Sequence, residues 1–347
     1  MSASNQKGVP WRLWRAYRLR WKRRYFLARA IRRRRQLHVV ERRTDGIAKG
    51  DILLFASVRN EMGRLPHFLD YHRNLGVAHF LIVDNSSTDG TKEHLSAQPD
   101  VSLWQTKSSY KLSRFGIDWL TWLQFRYGHG HWCLTLDADE LFLMPRGEEK
   151  NLRDLTAWLE RNGFETLGAL MLDLYPKGRV GAQDFTAGDD PLKVLRWFDP
   201  DGYTSTPRPE LRSRIVRGGP RARMFFVTQP DRAPTLNKVP LVHWNRRFAY
   251  LTSTHVVLPP RLNHLQGKTG GEPPTGVLLH TKFLPEIVKK SAEEKFRAEH
   301  FSNSAAYDAY YDALAGSPNF WTANSIEFRD AAQLESIGLM TRGSWQD

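Results

Sequence analysis

Three carboxylates lie within four residues of the sequence, at Asp137, Asp139 and Glu140. They follow an apolar run at 132–136 that is typical of a buried strand, and acids beside buried apolar surface are stabilised by a cation. Asp137 and Asp139 are two positions apart, so an extended backbone would direct both side chains to one side. Hard oxygen ligands of this kind suit Mg²⁺ or Mn²⁺ shared with a phosphate-bearing substrate. Solvated acids at a strand end are the alternative, because a DxD pattern alone is weakly specific.

The elements that would position these acids are strands alternating with helices. Apolar runs predict the strands, and apolar residues spaced by three or four predict the helices. The predicted strands are 52–57, 79–83, 101–104, 132–136 and 167–174, and the predicted helices are 65–75, 115–127 and 152–159. This alternation indicates an α/β fold with a mostly parallel sheet, whose sites lie at the carboxyl ends of the strands. The polar turns at 58–61 and 84–91 would then meet the acids at one edge of the sheet.

Positive charge is concentrated at the N-terminus. The 347 residues have a formal net charge of +14, and residues 1–50 contain 16 Lys/Arg and two acids, which leaves 35 basic and 35 acidic residues for positions 51–347. The single cysteine, Cys133, excludes an intrachain disulfide and favours a reducing compartment. No apolar run reaches the ~18 residues of a membrane-spanning helix, and the N-terminal segment lacks the apolar core of a secretory signal. These features predict a cytoplasmic protein.

Residues 10–35 combine arginine with aromatic residues at helical spacing. The residues on one predicted helical face are Trp14, Tyr17, Trp21, Tyr25 and Ala28. Such a helix would lie on an anionic membrane surface, with Trp and Tyr at headgroup depth, which predicts peripheral attachment to the inner face of the membrane. Two alternatives remain open, a nucleic-acid-binding arm with aromatic stacking and a solvated basic tail.

Three motifs follow the predicted strands in a fixed order, VRNE at 58–61, DNSSTDGT at 84–91 and LDADE at 136–140. Together they resemble family 2 glycosyltransferases of the GT-A fold, most closely the subgroup with RNE near its start and DADE at its metal site. The resemblance extends through later segments such as LLHTKF at 278–283. It implies a transferase that moves a sugar from a nucleotide-sugar donor to an acceptor hydroxyl.

The resemblance also implies a division of the chain. A GT-A domain, with a Rossmann-like, mostly parallel sheet flanked by helices, would span residues 50–284. A basic amphipathic arm and linker would precede it at 1–49, and a helical C-terminal segment would follow it at 285–347.

Specific donor and metal ligands are implied in the same way. The residues expected to hold the base and ribose of the donor are Arg59, Asn60, Glu61 and Asp84. Asp137 and Asp139 would hold a divalent ion against the diphosphate, so that Asp137 also belongs to the donor site. A histidine near the C-terminus often completes such coordination, and His255 and His280 are the two expected choices. Imidazole favours Mn²⁺ over Mg²⁺, although either histidine is equally interpretable as an ordinary hydrogen-bonded residue.

Further residues are expected around the diphosphate and the acceptor. Arg214 and Arg223 flank Gly218-Gly219 and would bring guanidinium groups to the diphosphate, and Lys238 is a weaker donor-binding choice. The sequence shows no clear Glu-Asp pair after the metal strand, where many inverting members of the family place their base.

Two carboxylates are therefore considered as the base. Asp173 ends an apolar strand, where burial would raise its proton affinity, and Glu210 lies in a Pro-flanked loop. Structural pairing of Asp173 with an arginine is the alternative.

The sequence thus predicts a metal-dependent inverting glycosyltransferase of envelope or exopolysaccharide synthesis, with a glycan or lipid-linked acceptor. A nucleic-acid-binding protein is the alternative of a different class, but the neutral body offers no basic groove. A nucleotidyltransferase is the second alternative. Its Gly-rich, basic phosphate loop is not matched by VRNEMG at 58–63.

Overall fold

The computed structural model describes residues 9–263, 272–287 and 308–345. The helices in these ranges are α1 (Val9–Arg33), α2 (Leu65–Leu75), α3 (Thr91–Ser96), α4 (Ile117–Tyr127), α5 (Leu152–Arg161), α6 (Gly219–Phe225), α7 (Asp308–Ala315) and α8 (Ala331–Ser336). The strands are β1 (His38–Glu41), β2 (Leu53–Val58), β3 (His79–Asp84), β4 (Val101–Gln105), β5 (Trp132–Thr135), β6 (Glu140–Leu143), β7 (Thr166–Asp173), β8 (Trp197–Phe198), β9 (Thr204–Arg208), β10 (Ser213–Arg217), β11 (Asn237–His243), β12 (Ala249–Thr252), β13 (Val256–Leu258), β14 (Gly276–His280) and β15 (Ile326–Glu327).

Within those residues, nine strands form one mixed sheet in the order β1-β4-β3-β2-β5-β11-β7-β14-β6. Six of them, β4, β3, β2, β5, β7 and β14, run in the same direction, whereas β1, β11 and β6 run opposite to these. Because β3, β2 and β5 are parallel neighbours, their carboxyl ends meet at one edge of the sheet. We call this edge, formed by residues 59–62, 84–91 and 136–140, the carboxyl edge. The predicted α/β architecture is confirmed.

Both faces of the sheet are buried. Leu54 and Phe80 point to the face covered by α2 and α5, whereas Leu53, Phe55 and Leu81 point to the face covered by α4 and the β12–β13 hairpin. The alternation follows from the two-residue period of a strand, and burial on both sides explains why β2 and β3 are almost wholly apolar.

The N-terminal segment packs on the body of the protein. β1 pairs antiparallel with β4, with Val39 opposite Trp104, and α1 packs on α4 with Ala30 buried. Nε of Arg29 lies 2.6 Å from Oδ2 of Asp118, a buried carboxylate that needs a cation nearby. Residues before the boundary expected at residue 49 thus extend the sheet and cover α4. No helix in the described ranges combines the length and the apolar character that a membrane span requires.

The expected helical C-terminal segment is only partly helical. α7 and α8 are present, but β15 lies between them and pairs with β8. Phe320 packs on Phe283 at 4.4 Å between ring centroids, and both are buried in the core. Residues 288–307, for which a helix is also predicted in part, lie outside the described ranges. The segment is thus part of the same core, because burying Phe320 removes a large apolar side chain from water.

Candidate active site

Two polar turns are joined at the carboxyl edge. The backbone N–H of Asn60 donates to Oγ of Ser87 (2.9 Å), and that of Thr88 donates back to Oδ1 of Asn60 (2.8 Å). The N–H of Glu61 donates to Oγ1 of Thr91 (2.9 Å). Asn60 has a positive φ of 51°, a conformation that Asn tolerates better than most residues. The VRNE and DNSSTDGT motifs therefore form one rigid surface.

The remaining donor-site residues of these turns differ in accessibility. Nη1 of Arg59 donates to the carbonyl of Asn85 (2.6 Å), so its guanidinium lies across the surface of the second turn. Asp84 is completely buried and accepts from the N–H of Ser87 at 3.2 Å. The expected direct contact of Asp84 with a ribose is therefore not supported, because this carboxylate lies beneath the turn and shapes it.

The acidic segment is a turn rather than an extended strand end. The N–H of Glu140 donates to the carbonyl of Asp137 (3.1 Å), and this turn connects β5 to β6. The side chain of Asp137 is 54% exposed and contacts Lys238, whereas that of Asp139 is 23% exposed and contacts His280. The expectation that the two aspartates point the same way is wrong, since the turn replaces the two-residue period of a strand.

Lys238 is the buried cation beneath this turn. β11 runs antiparallel to β5, which brings its first residues level with the acidic segment. Nζ of Lys238 lies 2.8 Å from Oδ2 of Asp137 and also contacts Oε1 of the fully buried Glu140. Burial raises the pKa of Glu140 to about 7 against the charge of Lys238, and Asp137 and Asp139 add to the rise. Lys238 thus supports the acidic turn from below.

A second chain of charges runs through His280. Because β14 pairs in parallel register with β7, His280 lies opposite Asp173, and its Nδ1 is 2.6 Å from Oδ1 of that carboxylate. Nε2 of His280 lies 3.2 Å from Oδ2 of Asp139. Nε of Arg221 donates to the other oxygen of Asp173 (2.8 Å). The four side chains therefore form a line, Asp139–His280–Asp173–Arg221.

The charged side chains in this line shift one another's pKa values. Burial alone would lower the pKa of His280, but Asp139 and Asp173 outweigh it and raise the pKa. Although burial opposes it, the charge of His280 holds the pKa of Asp139 well below its usual range. Burial would raise the pKa of Asp173, but Arg221 and His280 together lower it to about 2. The expected rise in the proton affinity of Asp173 is thus wrong, because the structural pairing with an arginine occurs instead.

A buried arginine, Arg64, connects the VRNE turn to the acidic turn. Nε of Arg64 forms an ion pair with Oε2 of Glu61 at 3.0 Å, and its Nη1 donates to the carbonyl of Thr281 (3.3 Å). The N–H of Thr281 donates in turn to the carbonyl of Asp139 (2.7 Å). Arg64 therefore couples the VRNE turn to the acidic turn.

Four predicted site residues lie elsewhere or are otherwise engaged. His255 is buried, its Nδ1 donates to the carbonyl of Asn237 (2.7 Å), and burial, with a smaller contribution from Lys238, lowers the pKa of His255 to about 4. Nε of Arg223 pairs with Asp199 at 3.0 Å, so its guanidinium, although partly exposed, is engaged by a carboxylate.

The other two lie on the β9–β10 hairpin. Arg214 is exposed and donates to Oγ of Ser205, and Glu210 forms a 3.6 Å ion pair with Arg208. Neither residue forms a hydrogen bond or ion pair with the acidic turn in the part of the chain that the structure describes. The structure therefore brings Asp137, Asp139, Asp173, Lys238 and His280 into contact, with Arg59, Asn60 and Glu61 on the same edge of the sheet. The other predicted residues, His255, Arg214, Glu210 and Arg223, have other partners.

A divalent cation fits the Asp139–His280 pair. No group of three His, Cys, Asp or Glu side chains converges as a complete metal cage among the described residues. Mg²⁺ and similar ions, however, are commonly held by one or two protein groups plus substrate phosphates, and neighbouring ligands about 2.1 Å from such an ion lie about 3 Å apart. The 3.2 Å between Asp139 and His280 matches this spacing. When Nδ1 of His280 carries its proton toward Asp173, the lone pair of Nε2 faces Asp139, which is the arrangement found around metal-bound histidines.

Comparison with known proteins finds two curated proteins that are similar to part of this chain. No protein-family model matches the sequence. The chain is 26% identical over 169 residues to a protein of Ricinus communis, an alignment that covers 44% of this chain and 27% of that protein. It is 24% identical over 180 residues to a protein of Arabidopsis thaliana, which covers 47% of this chain and 29% of that protein. Both relatives are named glycosyltransferase family 92 proteins.

Both alignments cover less than half of this chain and a smaller share of each relative. The chain spans less than a third of the length of the two curated relatives. Their names agree with the glycosyltransferase resemblance of the motifs but give no support to family 2 or its subgroup. The crystal structure of 4-diphosphocytidyl-2C-methyl-D-erythritol synthase matches at 16% identity and a TM-score of 0.24 over 42% of this chain and 70% of that one, which is too weak to bear on fold or activity.

The sequence analysis assigned no site role to three residues, Arg64, Arg221 and Glu140, although it named Glu140 as one of the clustered acids. Two of them carried a usable signal, because a charged residue inside an otherwise buried segment must be paired. Glu140 begins an apolar strand and Arg64 directly precedes an apolar helix. Arg221 carried no local signal, since it is one of several arginines in the same stretch.

Proposed function

We propose that this protein is a glycosyltransferase that moves a sugar from a nucleotide-sugar donor to an acceptor hydroxyl. The observation that carries the proposal is the carboxyl edge, where the joined polar turns lie beside a metal-compatible Asp139–His280 pair. Ligands of open α/β sheets bind at this edge. The names of the two plant relatives support the same class of reaction.

The donor nucleotide would occupy the joined turns. Arg59, Asn60 and Glu61 present guanidinium, amide and carboxylate groups that suit a base edge and ribose hydroxyls. Arg64 links these residues to the acidic turn, so a nucleotide held there would place its diphosphate toward Asp137 and Asp139. Asp84 would act indirectly by holding the turn.

The diphosphate would share a cation, Mn²⁺ or Mg²⁺, with Asp139 and His280, and the exposed Asp137 would lie beside it. Such an ion stabilises the negative charge that develops on the leaving nucleoside diphosphate. Asp173 holds the ring of His280 in position, and Arg221 keeps Asp173 ionised for that purpose. Lys238 orients Asp137 and keeps the turn from opening. We prefer His280 to His255 because Nε2 of His280 lies 3.2 Å from Oδ2 of Asp139, whereas among the described residues His255 forms no ion pair with Asp137 or Asp139.

Transfer with inversion needs a carboxylate that accepts the proton of the acceptor hydroxyl. Asp173 is buried and weakly basic, so Glu210 is the remaining choice among the two residues considered. Its hairpin lies beside the start of β11, because the N–H of Val216 donates to Oδ1 of Asn237 (2.9 Å). An envelope or exopolysaccharide acceptor stays a prediction from the sequence.

A thermal-shift panel tests the proposal. UDP-, GDP- and CMP-sugars are added with and without Mn²⁺, and one donor class should raise the melting temperature in a Mn²⁺-dependent way, because ligands that bind the folded state stabilise it. Asp139→Asn should lose the Mn²⁺-dependent part. Asp231→Asn, whose side chain is fully exposed, is the matched control and should behave like the wild type. No shift with any nucleotide-sugar, or an unchanged Mn²⁺ effect in Asp139→Asn, would contradict the proposed site.

A further inference from the structure

One face of α1 exposes large aromatic side chains to solvent. The aromatic face consists of Trp14, Tyr17, Trp21 and Tyr25, which are 52%, 57%, 52% and 59% exposed. Their spacing of three or four residues places them in one row along the helix. A contiguous row of aromatic side chains is unusual on a protein surface and indicates an interaction site.

The opposite face of α1 is fixed to the body of the protein. Ala30 is buried, the guanidinium of Arg114 lies 3.8 Å from the ring centroid of Phe26, and Arg29 pairs with the buried Asp118. The helix therefore cannot rotate to bury its aromatic row without breaking these contacts. The aromatic face points outward as a consequence of the fold.

Arginines from other elements gather beside the helix. Arg23 of α1 lies close enough to Arg247 and Arg261 for mutual repulsion, in addition to its neighbours Arg20 and Arg24. We call these five residues the arginine cluster. Nε of Arg23 is buried and has no hydrogen-bond partner among the residues that the structure describes, and Arg261 pairs with Glu165. Like charges held together in this way are stabilised by an anion.

We propose that α1 binds the surface of an anionic lipid bilayer, with the aromatic face at headgroup depth and the arginine cluster against lipid phosphates. Trp and Tyr are enriched at this depth, and each basic residue near an anionic surface adds to the attraction. Charge supports the same partner, since residues 1–50 contain 16 basic and two acidic residues whereas the rest of the chain is neutral.

The ring contacts argue against single-stranded nucleic acid as the occupant. Bases bind such proteins by stacking on open aromatic faces. Here Arg18 lies over the ring of Trp14 at 4.6 Å and Arg24 over that of Trp21 at 5.6 Å, while Tyr17 meets Trp21 edge to face. One face of each indole is thus already covered by a guanidinium. In a bilayer interface the same arginines can reach phosphates while the indoles remain among the headgroups.

Vesicle co-sedimentation of the full chain tests the proposal. Wild-type protein should bind phosphatidylcholine vesicles that contain phosphatidylserine and bind pure phosphatidylcholine far less. Replacing all four residues of the aromatic face by Ser should weaken binding by at least about tenfold, because interfacial affinity scales with the apolar area inserted. Replacing Arg20 and Arg24 by Glu should reduce binding only to the anionic vesicles, by about fivefold or more for each residue. Val227→Ser with Ile337→Ser removes exposed apolar side chains elsewhere and should change nothing.

Brominated lipids provide a second readout that locates the indoles. They should quench wild-type tryptophan fluorescence, and Trp14→Phe with Trp21→Phe should abolish most of that quenching. Melting temperatures should stay within a few degrees for all variants, since the replaced side chains are exposed. Wild-type binding retained by the Ser variant, equal binding to neutral vesicles, or tight binding of single-stranded RNA without vesicle binding would each overturn the proposal.

Discussion

Asp139 and His280 show that the role of a residue depends on the side chains that surround it. In the sequence, His255 and His280 are equivalent choices, and nothing local separates them. The structure separates them, because Nε2 of His280 lies 3.2 Å from Oδ2 of Asp139, whereas His255 forms no ion pair with Asp137 or Asp139 among the described residues. A histidine between two acids has an orientation that a metal site needs.

Asp139→Asn tests the residue that contacts the proposed cation. The change keeps the shape of the side chain but removes its charge, so we expect transfer to fall by about 10²–10³, as when one electrostatic stabiliser of a transition state is removed. Transfer to a soluble acceptor is measured at saturating donor, with and without a chelator. Full activity of the variant, or wild-type activity that survives excess chelator, would exclude the site.

Asp173→Asn tests the residue behind the histidine. An amide cannot neutralise Arg221, and breaking a buried ion pair costs about 3–5 kcal/mol of the free energy of unfolding. The affinity for Mn²⁺ should also fall by about 10–100-fold, since the orientation of His280 depends on this carboxylate. Chemical denaturation and Mn²⁺ titration measure the two effects, and the exposed Asp201→Asn is the control. Loss of transfer with unchanged stability and Mn²⁺ affinity would restore Asp173 as a base.

At the scale of elements, the local patterns predicted most strands and helices around the site but not their non-local pairing. β2, β3, β4, β5 and β7 match apolar runs, and α2 ends at Gly76, which has a positive φ of 111°. The antiparallel position of β11 and the register of β14 against β7 have no local signal, because they depend on residues far apart in the chain. Those two pairings place Lys238 and His280, so local patterns could not choose His280 over His255, and only the family resemblance suggested either histidine.

His72 gives the α2–β6 contact a pH dependence. It is fully buried, its Nδ1 donates to the carbonyl of Phe68 (2.8 Å), and its Nε2 accepts from the N–H of Phe142 (3.4 Å). Burial lowers the pKa of His72 from 6.5 to about 3, against the Phe68 carbonyl, which raises it. The folded state therefore binds this proton less well than the unfolded state, and stability is lost as pH falls below 6.5.

We expect this loss to approach 1.4 kcal/mol per pH unit for one histidine, or about 2 kcal/mol between pH 6.5 and 5. His72→Gln should be less stable at neutral pH but show a shallower decline below pH 6.5. His129→Gln, an exposed histidine, is the control and should keep the wild-type slope. Denaturant unfolding at several pH values provides the comparison, and equal slopes for His72→Gln and the wild type would contradict the assignment.

At the same scale, α1 is held on the body of the protein by a buried ion pair. A detachable arm would be dispensable for folding, but Arg29 neutralises the fully buried side chain of Asp118. Arg29→Met should lower the free energy of unfolding by about 1–3 kcal/mol, because it removes a hydrogen-bonded partner of a buried charge. Arg32→Met on the exposed side of the helix is the matched control. Equal melting temperatures for the two variants would mean that the Arg29–Asp118 ion pair contributes no stability to the fold.

At the scale of the whole molecule, the two proposed surfaces lie on different parts of the fold. The catalytic proposal concerns the carboxyl edge, whereas the aromatic face lies on a helix that packs on the outer side of α4 and against β12. In the described residues, no hydrogen bond or ion pair joins the aromatic face to the acidic turn. Effects of changes at distant sites without shared partners are additive.

We therefore expect donor binding and vesicle binding to be separable. The Ser variant of the aromatic face should keep the wild-type donor-dependent rise in melting temperature while losing vesicle binding, because its exposed side chains contact no part of the acidic turn. Asp139→Asn should show the opposite pattern, and the combined variant should show the sum of the two losses. The four proteins are compared in thermal shift and vesicle co-sedimentation under the same buffer. If the Ser variant also lost its donor response without any loss of stability, the helix would have to act on the site directly, and the separation of the two surfaces would be wrong.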